Sequence, residues 1–364
     1  MKMKNFKRIL FFLLFFSALG FLLADTNEKK ESHIIQGVPY HPMLDGFCGM
    51  TALWMNLDYY GQDIETATLL NLGWSYGFFY WKTPERTWIY PNTGPVEEIV
   101  HAANILGFEA KVILHKSVEE AKQTLVGYLS RDIPVIIQWI GHTGLAYGYE
   151  NGGETVVFHN PDDPGLKLSK DATDPYDDLM AAKRMNIRQW EGPPWLWGVF
   201  GYKCVVLSPV QSKPVIDWKT IFKRNAEKTL GILKDSYPAE YGLEGLSKLI
   251  QDMEMIQFKE NKERVNYLLN FEGLFFLGTG FRREAAAFLA GQASISPNKA
   301  LSKAAIAFRK SAQHFREGYN LLLKLKTDHL LSTAIHQGYL AILKEIADWE
   351  KKGAEALIAA ATAR

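Results

Sequence analysis

Near residue 210 the hydrophobic period of this chain changes, and that change limits what it can fold into. Before it, short apolar runs alternate with helical patterns. After it, apolar residues recur at alternating four- and three-residue spacing over long stretches. Leu301, Ala305, Phe308, Ala312, Phe315, Tyr319 and Leu322 form one such stripe, and Leu331, Ile335, Tyr339, Ile342, Ile346 and Trp349 a second. Stripes of that kind are the core faces of packed helices. With helices expected near 217–235, 242–257 and 262–292, residues 215–364 read as an all-helical bundle. A chain of 364 residues is long enough for two domains, and residues 33–209 read as the other.

That first half is mixed. Cys48 to Tyr60 has Ala52, Met55 and Tyr59 on one face, and Gly61 ends it. Pro95 opens a helix through Leu106 that Gly107 stops. Ser117 and Glu120 form a capping box for a helix whose apolar face is Val118, Ala121, Leu125 and Leu129. Strands are expected at 111–115, 134–140, 143–149, 154–159 and 199–207, with Asn151-Gly152-Gly153 as a hairpin turn. The aromatic-rich segment 74–90 and the connection 166–197 have no clear period.

The N-terminus reads as a secretory signal over residues 1–24. Lys2, Lys4, Lys7 and Arg8 precede an apolar run from Ile9 to Leu23, and Asp25 to Lys30 is abruptly polar. Cleavage is expected after Ala18-Leu19-Gly20 or at Ala24. The chain is then exported, periplasmic or extracellular. If it is uncleaved, the run anchors the protein in a membrane. Net charge is +1, with no basic block beyond the N-terminus, so nucleic acid is not an expected partner. No metal-ligand spacing and no phosphate-binding glycine loop is present, so no cofactor is expected.

Two cysteines, Cys48 and Cys204, are present. In an exported chain they could pair as a structural disulfide. Cys48, however, sits in GFCGM at the start of a helix, where unpaired amides and partial positive charge favour thiolate. His142 lies between two strands, and the strand after next ends at Asn160 in HNPDDPG. Asn160 or Asp162 could accept from the imidazole and fix its tautomer. Trp54, Trp74, Tyr80, Trp81, Trp88, Trp139 and Trp190 are core aromatics by ordinary preference. Those in 74–90 are the better candidates for a cleft overhanging Cys48.

VPYHPMLDGFCGMTALWMNLDYYG and GHTGLAYGYENGGETVVFHNPDDPG resemble the cysteine and histidine segments of papain-like cysteine peptidases of the bacteriocin-processing type. GLEGLSKLI and GTGFRREAAAFLAGQA resemble the helical half of proteins of the butirosin biosynthesis protein H type. The resemblance implies an α+β, papain-like domain followed by an all-α bundle. It implies Cys48 as nucleophile, His142 as general base, and Asn160 or Asp162 as orienter. The substrate would be a peptide or a small acyl or amide compound. The product would be a hydrolysed amide or, with an amine acceptor, a transferred acyl group. A non-catalytic papain-fold scaffold, with a protein partner on the helical half, is the contrasting reading. Peptidases of this group carry a glutamine six residues before the cysteine as an oxyanion donor. Here that position is Pro42, with His41 or Tyr40 as substitutes beside the Cys48 amide.

Overall fold

The computed structural model describes residues 31–42, 47–82, 87–91, 95–139, 142–160, 182–187, 202–210, 215–234 and 239–363. Residues 1–24 (read above as a secretory signal), Asp162 and the Trp190–Trp197 patch fall outside them. Among the described residues, the first half is built on an antiparallel sheet of seven strands. These are β1 (His33–Ile34), β4 (Phe108–His115), β5 (Val135–Trp139), β6 (His142–Glu150), β7 (Thr155–His159), β8 (Ala182–Asn186) and β9 (Tyr202–Pro209). The order is β4-β9-β5-β6-β7-β8, with β1 on β6. Strand β8 pairs along the whole of β7, from Thr155↔Asn186 to His159↔Ala182. It supplies regular structure inside the connection that had no readable period.

Side chains alternate across a strand, and here the alternation divides two cores. Ile136, Leu145, Val205 and Leu207 face a cluster with helices α1 (Cys48–Tyr59) and α3 (Pro95–Ile105). Val135, Ile137, Cys204 and Val206 face the other side, against Ala121, Leu125 and Leu129 of α4 (Val118–Leu129). Local signals act as expected. Gly107 adopts φ +84° after α3, and the β6–β7 turn carries Asn151, Gly152 and Gly153 all at positive φ. Ser117 Oγ accepts from the Glu120 amide at 3.2 Å, while the Glu120 carboxylate accepts from Lys116 N at 2.8 Å. The return bond of the capping box therefore lands one residue upstream of its usual target.

The second half is helical: α5 (Trp218–Leu230), α6 (Gly242–Met255), α7 (Asn261–Leu269), α8 (Glu272–Ile295), α9 (Lys299–Thr327) and α10 (Ser332–Thr362). Leu301, Phe308, Phe315 and Leu322 of the first stripe are buried, as are Ile335, Tyr339 and Ile346 of the second. Leu331 instead lies 41% exposed, in a short 3-10 turn that links α9 to α10. The single helix expected over 262–292 is two. Asn270 and Phe271 bond back three residues rather than four, to Tyr267 O and Leu268 O. This tightened turn drives Phe271 into the core beside Phe275 and Tyr339.

The aromatic segment 74–90 is where the halves join. The remaining short helix, α2 (Thr66–Asn71), leads into it. Strands β2 (Phe79–Lys82) and β3 (Thr87–Tyr90) form a ribbon, extended by β10 (Glu240–Tyr241) from the helical half. Phe78, Tyr80 and Ile89 share a core with Leu246, Phe275, Phe315 and Tyr339. The Tyr80 hydroxyl donates to Asp252 at 2.7 Å. These aromatics are packing residues, which removes Tyr80 from the cleft.

Two buried ion clusters reinforce the joint. Glu98 on α3 accepts from Lys228 at 2.6 Å and from Arg224 at 3.1 and 3.2 Å, and Lys228 also reaches Gly73 O at 2.7 Å. Arg282 on α8 is fully buried and donates to Ser75 O (2.7 Å), Gly77 O (2.7 Å), Pro91 O (2.8 Å) and the Glu350 carboxylate (2.7 Å).

Candidate functional site

Helix α1 is pinned at its far end. The Tyr59 hydroxyl donates to Asp132 O at 3.0 Å and the Tyr60 hydroxyl to Leu207 O at 3.3 Å. Asp132 precedes β5, and β9 pairs Val206 with Val135, so both anchors lie at the end of the sheet where β5 starts. Twelve helical residues run about 18 Å, and the stretch from Val135 to Trp139 covers roughly 13 Å. The helix packs along β5 and β6. Its N-terminus therefore reaches the opposite end, where β5 finishes and β6 begins.

Cys48 stands at that N-terminus and is 9% exposed. The N-cap residue is Phe47, whose side chain offers no acceptor to the first amides, so the helix end keeps its positive character. His142 is the first residue of β6 and pairs with Trp139, the last of β5. In the β6–β7 register His159 faces Leu145. The next residue, Asn160, thus lies one step further toward the His142 end, and it is half-buried. The backbone brings Cys48, His142 and Asn160 to one end of one sheet, while Asp162 lies outside the described residues.

Cys204 is not there. It lies on β9, faces the α4 side of the sheet and is fully buried, and burial pushes its thiol far up. Neither cysteine is in a disulfide. A Cys48–Cys204 disulfide would have to cross the sheet, and the two do not pair.

The surroundings of Cys48 come from distant segments. Trp74 is 2% exposed and its ring covers Gly49, where a Cβ would come within 2.5 Å of Cη2. Replacing Gly49 with alanine is expected to lower stability by about 1–3 kcal/mol through overpacking. It should also displace the first turn of α1. Denaturant midpoints and the rate of Cys48 alkylation check both effects. The Phe47 ring lies 4.4 Å from Phe281 of α8. Tyr90, at the end of β3, is half-buried with its ring 6.5 Å from Phe79. Burial, and then the charge of Cys48, push its phenol up.

The substitutes for the absent glutamine are otherwise engaged. His41 stacks flat on Trp54 at 3.7 Å and bonds Asp58 at 2.9 Å. Those partners are six and ten residues beyond Cys48, or roughly 9 and 15 Å along the helix. Tyr40 packs against His159, whose ring stacks on Tyr147 at 4.3 Å. That Tyr90 comes within the electrostatic reach of Cys48 was not legible, because the ribbon that carries it is positioned by the helical half.

Residues 35–191 match the model of the Peptidase_C39 like family. The match covers less than half of the chain and falls in the sheet-containing part. It supports a C39-like, papain-type domain there, followed by the helical region. No curated protein matches the chain.

Proposed function

We propose that this protein is a papain-type cysteine hydrolase that cleaves a peptide or amide bond through a thioester at Cys48. The observation that carries this reading is the convergence of the α1 N-terminus, the start of β6 and the end of β7 within the C39-like segment. In the proposed reaction His142 takes the thiol proton and the Cys48 sulfur attacks the carbonyl carbon. The tetrahedral intermediate collapses, and the departing amine takes the proton back from the imidazolium. Water, deprotonated by the same imidazole, then resolves the thioester. Asn160 or Asp162 holds the imidazole in the tautomer that faces Cys48.

Two further parts of the reading rest on sequence. The charged and apolar blocks of residues 1–24, followed by the polar stretch Asp25 to Lys30, support export. The likeness of the helical segments to butirosin-type proteins supports an amine as acceptor in place of water, which would make the product a transferred acyl group. Adding a primary amine to a reacting thioester separates the two outcomes by mass.

Iodoacetamide at one equivalent tests the core of the proposal. Cys48 should take the label in the native protein while Cys204 stays unlabelled until denaturation. Equal, slow labelling of both thiols in the native protein would refute a nucleophilic Cys48.

A further inference from the structure

A papain-type mechanism needs a second donor for the oxyanion beside the Cys48 amide, and Pro42 has none to give. Two consecutive residues of α8 show where another could come from. Phe281 packs on Phe47, the residue before Cys48. Arg282 donates to the carbonyl of Pro91, the residue after Tyr90. Adjacent residues of α8 thus hold the neighbour of Cys48 and the neighbour of Tyr90, and Tyr90 lies within the electrostatic reach of Cys48. Arg282 is itself fixed by Glu350, by Ser75 O and Gly77 O, and by the Phe78 ring 5.0 Å away. The Tyr90 ring has its own support in Phe79, which packs in turn on Tyr241.

Building on the hydrolase reading above, we propose that the Tyr90 hydroxyl is the oxyanion donor of this site, delivered to Cys48 by the α8 helix. As the thiolate adds to the carbonyl carbon, the carbonyl π pair moves to oxygen. Tyr90 O–H donates a hydrogen bond to that oxygen without giving up its proton. When the intermediate collapses, the pair returns to re-form the carbonyl and the leaving group departs. Burial and the nearby Cys48 hold the phenol in its protonated, donating form.

Tyr90→Phe keeps the ring and removes only the donor. The test compares two reagents on the full-length protein. p-Nitrophenyl acetate acylates Cys48 through a tetrahedral oxyanion, whereas iodoacetamide alkylates it by displacement at carbon with no oxyanion. The variant should release the first equivalent of nitrophenolate roughly 100-fold more slowly, with the iodoacetamide rate within about twofold of the parent and an unchanged thermal midpoint. Unchanged acylation would overturn the assignment. So would an equal loss with both reagents, which would mean that Tyr90 acts on the thiol. Failure of the parent protein to alkylate at Cys48 would instead strike the hydrolase reading itself.

Discussion

His142→Ala is expected to slow alkylation of Cys48 by about 100-fold at pH 6. A thiol that ionises at the ordinary value of about 8.5 is roughly 0.3% thiolate at that pH. A thiolate paired with imidazolium is fully formed there, though somewhat less nucleophilic for its lower basicity, which trims the ratio. The difference should shrink as pH rises and nearly vanish near pH 9, where an unassisted thiol is itself ionised. A rate–pH profile of iodoacetamide labelling, with residual label located by peptide mapping, measures this directly. A variant that follows the parent at every pH would remove His142 from the site. Cys204 gives no background, since it is buried on the other face of the sheet.

The largest effect on stability is expected at Glu98. Glu98→Ala leaves Lys228, 1% exposed, and Arg224 with their carboxylate gone. Breaking a buried pair by removing one partner typically costs about 3–5 kcal/mol. Because Glu98 belongs to the sheet half and both cations to α5, the loss also loosens the joint. Acid should act through the same cluster. Burial would raise the Glu98 carboxyl, but Lys228 and then Arg224 outweigh it and bring it to about 2. Below its unfolded value of about 4.3, the unfolded chain binds the proton that the native state refuses. This contribution is therefore complete above that pH and lost as pH falls toward 2. His101 works in the same direction at higher pH. Burial, then Arg224, hold it at about 4, against an ordinary value of 6.5. Stability should thus fall as pH drops from 6.5 to 4, and again below that. Denaturant midpoints at pH 7, 5 and 3 check this, and in Glu98→Ala the lowest limb should flatten.

Much of the architecture could be read from local pattern. The Cys48 helix, the capped α4, the β6–β7 hairpin and the helical stripes each rest on contacts within a few turns or one strand pair. The parts that could not be read depend on distant partners. Phe79 and Tyr80 become a strand because Tyr241 and Glu240 pair with them, and no alternation survives where Phe78, Phe79 and Tyr80 are buried in succession. Strand β8 is ordered by β7 across a long connection. The site divides in the same way. Cys48, His142 and Asn160 were legible from their positions at element ends. The neighbours of Cys48 were not: Trp74 reads as one aromatic among many. Arg282 sits in an Arg-Arg-Glu run that looks like a solvated face, yet it is fully buried while Arg283 beside it is exposed.

The Arg282–Glu350 pair has a consequence for the order in which this protein comes to life. Cys48 and its helix are made early, but the carbonyls flanking the ribbon at its side are gripped by an arginine whose own counter-ion lies 302 positions after Cys48 (350 − 48). That loop closes only when α10 docks. Such distant closures come late in folding. A chain cut anywhere before α10 thus carries Cys48 without the carboxylate that holds Arg282 against the ribbon. On the proposed reading, the reactivity of Cys48 is tied to the docking of α10, an element far along the chain from it.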